Sequence, residues 1–167
     1  MLYRMTNNLP GGLNILKEKL IKLLATGFGS GYAPVAPGTA GTMLGVLLYF
    51  LLAALPWPAY LFFLLVFTAA AVYLAREAEV IFGKKDPPCI VIDEVVGLLW
   101  TMFTVPPTIP GVIIGFILFR FFDIVKPFPV RLLQDKLPGG YGVVGDDVMA
   151  GIYSNVVLQI VVRYFVI

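Results

Sequence analysis

The sequence predicts an all-α, polytopic membrane protein. We expect one domain, residues 1–167, with about four to five membrane-embedded helices and an N-terminal amphipathic helix at the membrane interface. Of its 167 residues, 59% are hydrophobic and only 13% are charged, about half the charged fraction of an ordinary soluble domain. The mean hydropathy is +0.91. Charged residues are absent between Lys22 and Arg76 and again between Glu94 and Arg120, as expected for helices that cross hydrocarbon.

Composition excludes several kinds of chemistry. There is no histidine, so Ser-His and Cys-His catalytic machinery is excluded. The single cysteine, Cys89, excludes an internal disulfide and a cysteine-rich metal site. A net charge of +2 is too small to indicate a polyanionic partner, and no nucleic-acid partner is expected. Residues 1–12 contain no apolar core, so we expect no secretory signal there.

Residues 13–25 are predicted to form the interfacial helix. Leu13, Leu16 and Leu20 recur at helical spacing, while lysines occupy the other side. This pattern is typical of a helix that lies on an anionic membrane surface. An ordinary amphipathic helix packed on the protein core is the alternative.

Five apolar runs predict the membrane spans, and a Gly/Pro-rich loop at residues 27–42 leads into the first. The spans cover about residues 39–55, 59–75, 89–105, 109–123 and 147–163. All Lys and Arg residues except Arg163 lie in or beside the connections on one side, whereas residues 56–58 and 106–110 on the other side hold none. The positive-inside rule therefore predicts a cytoplasmic N-terminus, with the acidic residues on the same side.

Five carboxylates stand where apolar runs meet the predicted cytoplasmic connections. They are Asp93, Glu94, Asp123, Asp146 and Asp147. A carboxylate at membrane depth costs about 2.5–3.5 kcal/mol and is seldom kept without a partner. Ion pairs that fix helix packing are one explanation. A divalent cation is the other, and the adjacent Asp-Glu and Asp-Asp pairs favour it. Ligands that are all oxygen favour Mg²⁺, as one ion or as two.

Basic and glycine residues near these acids indicate an anion site. Arg120, Asp123 and Lys126 are spaced three residues apart, so they share one side of a helix end. Snorkelling contacts of the two bases with lipid headgroups are the alternative. Gly38 and Thr39 open the first predicted span, and a helix N-terminus attracts phosphate. Capping of that helix by a threonine is the purely structural alternative.

Two glycine clusters accompany these residues. The cluster at residues 27–31 lacks the Gly-Lys-Ser/Thr ending of a P-loop, so its backbone amides indicate an anion site only weakly. The cluster at residues 139–145 directly precedes Asp146 and is predicted to be a flexible turn.

Four blocks of motif residues, taken in this order and at these separations, resemble the phosphatidylglycerophosphatase A family over about residues 24–155. The blocks are Gly27-Phe28-Gly29-Ser30-Gly31 with Ala36-Pro37-Gly38-Thr39-Ala40-Gly41-Thr42, Asp93-Glu94-Val95-Val96-Gly97, Phe119-Arg120-Phe121-Phe122-Asp123-Ile124-Val125-Lys126-Pro127, and Gly139-Gly140-Tyr141-Gly142 followed by Asp146-Asp147. Thr42 stands where the family pattern is expected to have serine. The charged motif residues are all present.

The resemblance implies a Mg²⁺-dependent lipid phosphomonoesterase that converts phosphatidylglycerophosphate to phosphatidylglycerol and inorganic phosphate in bacterial phospholipid synthesis. Its site would face the cytoplasm from a multi-pass protein of the bacterial inner membrane. The catalytic residues, which would also be the metal ligands, are Asp93, Glu94, Asp123, Asp146 and Asp147. The residues near the substrate phosphate would be Gly38, Thr39, Arg120 and Lys126.

A second class of function is a small cation-coupled transporter that uses intramembrane carboxylates. The acids gather at one face and no inverted repeat is evident, which disfavours that class. A CDP-alcohol phosphotransferase is disfavoured because its aspartate signature is absent. The sequence leaves open the number of metal ions, whether water or a carboxylate attacks phosphorus, the oligomeric state, and which other lipid phosphates are accepted.

Overall fold

The computed structural model describes residues 11–165, and this part of the chain is built from helices without strands, which confirms the predicted all-α class. The helices are α1 (Gly11–Ala25), α2 (Pro37–Leu52), α3 (Trp57–Phe82), α4 (Ile92–Thr101), α5 (Ile109–Val125), α6 (Val130–Lys136) and α7 (Gly140–Phe165), with a 3₁₀ turn at Ser30–Tyr32. Residues 1–10 and 166–167 lie outside the described residues. Most of the segment 1–12, in which we expect no secretory signal, is therefore not described.

The short helix α4 lies at the centre of the bundle. It packs against α2, α3 and α7, while α5 and α6 pack against α7. Almost every α4 residue is buried. The main apolar core therefore consists of α4 side chains and the residues that face them, among them Leu64 of α3, Phe119 of α5 and Leu158 of α7.

Glycines allow α4 and α7 to approach each other closely. A Cβ atom on Gly151 would overlap the carbonyl oxygen of Gly97, and a Cβ atom on Gly97 would overlap the ring of Phe119. Small residues at a helix crossing permit this backbone approach. The approach holds the first turns of α7 beside the start of α4, where the acidic residues of both helices lie.

Large apolar side chains cover much of the outside of the bundle. Leu47 and Leu51 of α2, Phe62 of α3 and Ile117 of α5 are each at least 60% exposed. Exposed apolar surface of this extent marks contact with lipid or with another protein. Among the described helices, α3 alone has the length and composition needed to cross a membrane, and α2 is apolar but shorter.

The leucine stripe of α1 faces outward. Leu13, Leu16 and Leu20 are more than half exposed, whereas Ile21 and Ala25 are buried and pack with alanines of α3. The alternative that this stripe packs on the protein core is therefore wrong. The position of α1 at a membrane interface stays a prediction.

The helices α2 and α5 differ only slightly from their predicted bounds. α2 begins at Pro37, within the segment 27–42 that was predicted to be a loop, because proline is favourable in the first turn of a helix. It ends at Leu52 rather than at residue 55. α5 exceeds the predicted run 109–123 by two residues.

The helix α3 is longer than the predicted run 59–75. It continues to Phe82 because Arg76 is exposed and does not interrupt the buried face formed by Ala75 and Ala78. A charged residue ends an apolar run in the sequence without ending the helix.

The helix α4 is much shorter than the predicted run 89–105. It ends at Thr101, and the side chain of Asn155 on α7 donates hydrogen bonds of 2.8 Å to the carbonyl oxygens of both Thr101 and Phe103. Gln159 donates a further bond of 3.1 Å to the Phe103 carbonyl. These two amides satisfy carbonyl groups that a longer helix would have satisfied itself, so the chain can leave the helical conformation inside the protein.

The helix α7 is longer than the predicted run 147–163. It begins at Gly140, so most of the glycine cluster predicted to be a turn is helical. The absence of a side chain at Gly140 allows this turn to contact the backbone of α3 at Val72, and such packing offsets the low helix propensity of glycine. The helix α6 was not predicted at all.

The close contact between α4 and α7 predicts that Gly151→Ala destabilises the protein. The added methyl group would overlap the Gly97 carbonyl oxygen, so we expect a loss of about 1–3 kcal/mol, measured as a lower thermal midpoint in detergent. Gly12→Ala is the matched control, because a Cβ atom at Gly12 contacts none of the described residues within 4 Å and alanine favours a helix. Equal midpoints for the two variants would contradict this role of Gly151.

Candidate active site

The five predicted carboxylates meet at one end of the bundle. Four of them, Asp93, Asp123, Asp146 and Asp147, are less than 10% exposed, and Glu94 is half-buried. They come from the first turn of α4, the last turn of α5 and the second turn of α7. The fold therefore assembles the acidic cluster from three helices that are far apart in sequence.

Three of these carboxylates form the centre of the cluster. Oxygen atoms of Asp93, Glu94 and Asp147 all lie within 4.8 Å of one another. Oδ1 of Asp93 and Oε2 of Glu94 are buried and have no hydrogen-bond partner among the described residues. Buried acceptors without donors are costly, and three converging carboxylates repel one another, so this arrangement suits a cation.

The remaining two carboxylates are paired with the two predicted bases. Arg120 donates a hydrogen bond of 2.7 Å to Oδ2 of Asp123, and Lys126 donates to Oδ2 of Asp146. Both pairs are largely buried. Two acids thus form the predicted kind of ion pair, and three remain together without a basic partner among the described residues. The divalent cation stays a prediction.

Lys126 keeps its positive charge in this setting. Burial lowers the pKa of its ammonium group, but the charge of Asp146, with smaller effects of Asp147 and Asp123, raises it more, so the pKa lies above its ordinary value. At neutral pH Lys126 is therefore protonated and acts as a fixed positive charge at the rim of the cluster.

The start of α2 contacts the same cluster through Gly38. A Cβ atom at this position would overlap the carboxylate of Glu94 and crowd the guanidinium of Arg120, so only glycine lets the helix end approach them. Arg120 also lies 3.5 Å from the hydroxyl oxygen of Thr42, which donates its own hydrogen bond of 2.7 Å to the Gly38 carbonyl. Nε of Arg120 is buried and has no hydrogen-bond partner among the described residues.

No described side chain caps the start of α2, so the alternative that a threonine caps this helix is wrong. Thr42 instead contacts Arg120, which was not predicted. Its position one turn after Gly38 was the available signal. Thr39 lies beside Gly38 at the end of an apolar groove between α2 and α5, and its predicted role near phosphate stays a prediction. Asp86 lies near enough to Asp93 and Asp146 to add to the negative charge, and nothing in its sequence context indicated this.

The glycine cluster at residues 27–31 has a structural role. The amides of all five residues donate to backbone carbonyls of the same turn or of α1, and the Gly29 amide also donates to the hydroxyl of Thr26. Gly31 packs directly on the carbonyl of Cys89. Because these amides already donate hydrogen bonds to acceptors of the protein, they are not left to bind an anion. The weak indication of an anion site in this loop is therefore wrong.

Comparisons with known proteins agree on one family. Residues 23–162 match the family model described as Phosphatidylglycerophosphatase A. A protein of that name from Escherichia coli is 35% identical, with 83% of this chain and 81% of the relative covered. Another of that name from Haemophilus influenzae is 41% identical, with 83% and 86% covered.

A further relative carries a different name. It comes from Bacteroides thetaiotaomicron, is 44% identical over 83% of this chain and 91% of its own length, and is provisionally named a phosphatidylinositol-3-phosphatase. No solved structure gave a significant match.

The central carboxylates predict a divalent-cation site that is measurable without any assay of activity. Purified protein in detergent should gain thermal stability when Mg²⁺ is added, because a ligand that binds only the folded state raises its stability. Asp93→Asn should weaken the apparent Mg²⁺ affinity by at least about tenfold. Glu18→Gln, which changes an exposed acid on α1, should behave like the wild type. Equal Mg²⁺ responses in all three proteins would contradict the site.

Proposed function

Since this chain belongs to the phosphatidylglycerophosphatase A family of lipid phosphatases, we propose that it hydrolyses phosphatidylglycerophosphate to phosphatidylglycerol and inorganic phosphate in bacterial phospholipid synthesis. The observation that carries this proposal is the junction of three unpaired carboxylates with the two ion-paired bases, Arg120 and Lys126. Such a junction offers sites for a cation and for phosphate oxygens side by side.

The proposed metal is Mg²⁺. Asp93, Glu94 and Asp147 would hold it, with Asp123 and Asp146 next to them. The fit is supported by the oxygen-only donor set and by the two buried carboxylate oxygens without hydrogen-bond donors. When bound, Mg²⁺ would neutralise phosphate charge and stabilise the charge that develops in the transition state.

Arg120 and Lys126 would bind the phosphate. Nε of Arg120 is buried without a hydrogen-bond partner among the described residues, so a phosphate oxygen would satisfy it, and guanidinium suits phosphate geometry. Lys126 supplies a second charge, fixed in place by Asp146. The backbone at Gly38 brings the positive end of the α2 dipole to the same place. Together these groups would orient the phosphoryl group for attack.

The reaction replaces one P–O bond by another. We take water as the nucleophile: its oxygen forms a bond to phosphorus, and the bond from phosphorus to the terminal glycerol oxygen breaks. A proton from the water passes to the leaving glycerol oxygen. Glu94 or Asp93 would accept the water proton during attack through a carboxylate oxygen that does not hold the cation. A phosphorylated enzyme trapped during turnover would contradict this step and indicate a carboxylate nucleophile.

We place the protein in the bacterial inner membrane as a multi-pass chain whose site faces the cytoplasm. This proposal is supported by the exposed apolar residues on α2, α3 and α5 and by the one-sided distribution of Lys and Arg. The carboxylates lie at one end of the bundle rather than along a path through it, which favours an enzyme over the transporter alternative. A ten-residue helix such as α4 is about 15 Å long, so it would cover only part of the membrane.

The relative named for phosphatidylinositol 3-phosphate gives a second candidate substrate. Both lipids carry a phosphomonoester on an anionic headgroup, which the same charged groups would bind. The two candidates are separable only by assay.

Phosphate release from the two lipids in detergent micelles, with Mg²⁺ and with a chelator, tests the proposed function. We expect release from phosphatidylglycerophosphate that depends on Mg²⁺. Asp123→Asn and Asp147→Asn should each lower turnover by at least about a hundredfold while the protein still inserts in the membrane. Glu18→Gln is the control and should keep wild-type turnover. Near-wild-type turnover in both Asp variants would overturn the site assignment.

Cysteine labelling tests the proposed topology. In a Cys89→Ser background, Leu55→Cys and Lys84→Cys place one thiol on each side of the predicted span 59–75, at exposed positions. An impermeant maleimide should label Leu55→Cys in right-side-out membrane vesicles and Lys84→Cys only in inverted vesicles. Labelling of both from the same side would show that this segment does not cross the membrane.

A further inference from the structure

An apolar groove runs along the outside of the bundle between α2 and α5. It has a volume of about 540 Å³ and is lined by side chains of both helices, including Met43 and Leu47 on α2 and Ile113 and Ile117 on α5. These four side chains are all more than half exposed. α2 packs mainly against α4, and α5 packs mainly against α7, whereas α2 and α5 make few contacts with each other. The groove is therefore a gap between two helices that the rest of the bundle holds apart.

The groove leads directly to the acidic cluster along α5. Ile113, Phe116 and Ile117 line it. Arg120 lies four residues after Phe116 and three residues after Ile117. Residues at these spacings share one face of a helix. The apolar face of α5 therefore ends at the guanidinium that contacts Asp123.

The groove also leads to the cluster along α2. Thr39, Met43 and Leu47 lie at four-residue spacing on its groove side, and the separation of eight positions from Thr39 to Leu47 corresponds to about 12 Å. Thr39 is the polar end of this row and is adjacent to Gly38, which packs against Glu94 and Arg120. Both walls of the groove thus change from apolar to charged at the same end.

We propose that this groove binds an acyl chain of the lipid substrate and positions its phosphate at the carboxylates. An anionic lipid has the same arrangement as the groove: an apolar chain joined to a phosphate-bearing head. A second copy of this protein could cover the apolar side chains of the groove, but such a contact would not explain why both walls of the groove end at charged residues. The inference rests on the proposed function, because it specifies how that substrate is held.

The test compares a lipid with its own headgroup. Dioleoyl phosphatidylglycerophosphate in nonionic micelles and the deacylated headgroup, glycerophosphoglycerol phosphate, present the same phosphate with and without acyl chains. Ile117→Trp would fill the groove from α5. We expect the ratio of kcat/KM for the lipid to kcat/KM for the headgroup to fall roughly tenfold, the change expected when about two methylenes lose their burial, and we expect the fall to appear mainly in KM.

The matched control is Ile160→Trp, on α7, whose side chain is similarly exposed but lies away from the groove. It should keep the wild-type ratio. Equal ratios in the two variants would overturn the groove assignment while leaving the hydrolysis itself established. If the wild type released phosphate from neither substrate, the proposed function would fail instead.

A measurement on the wild-type protein covers the case in which Ile117→Trp does not fold. A phosphatidylglycerophosphate analogue with a photoreactive diazirine in one acyl chain is irradiated with the protein, and labelled peptides are identified by mass spectrometry. We expect labels on α2 and α5, near Met43 and Phe116, that excess unlabelled substrate removes. Labels spread equally over α3 and α7, or groove labels that substrate does not displace, would overturn the proposal.

Discussion

The mutual repulsion of carboxylates buried at one end of the bundle is the constraint on which the rest of the structure depends. Five acids lie there, and four of them are almost inaccessible to solvent. Charges repel strongly where water is excluded. The fold relieves part of this repulsion with Arg120 and Lys126, and the proposed cation would relieve the remainder. The closeness of α2, α4 and α7 makes the cluster possible, and that closeness requires glycine at their contacts.

The two kinds of carboxylate have different consequences for chemistry. Asp123 and Asp146 are each tied to a base, so each holds a positive charge in a defined place beside the other carboxylates. Asp93, Glu94 and Asp147 have no such partner among the described residues and are free to act as ligands. A single acidic cluster thus provides both the attraction for a cation and, through its paired members, the attraction for an anion.

The sequence was sufficient to predict the all-α class, the approximate positions of α2 and α5, and which five acids lie together at one end of the bundle. It was insufficient where distant residues decide the local structure. The end of α4 depends on the side chains of Asn155 and Gln159, and the helical start of α7 depends on the contact between Gly140 and the backbone of α3. Both contacts join residues more than fifty positions apart, which no local pattern reports. Likewise, spacing placed Arg120 beside Asp123 but did not show that Lys126 would pair with Asp146.

The hydrogen bonds from Asn155 join α4 and α7 at the opposite end of their contact from the acids. Asn155 lies eight residues after Asp147, about 12 Å along the helix, and it holds the last carbonyls of α4. The helices that carry Asp93 and Asp147 are therefore joined both by these hydrogen bonds and by the close approach of Gly151 to Gly97. Moving the acids of α4 relative to those of α7 would require these hydrogen bonds to break or the glycine contact to open.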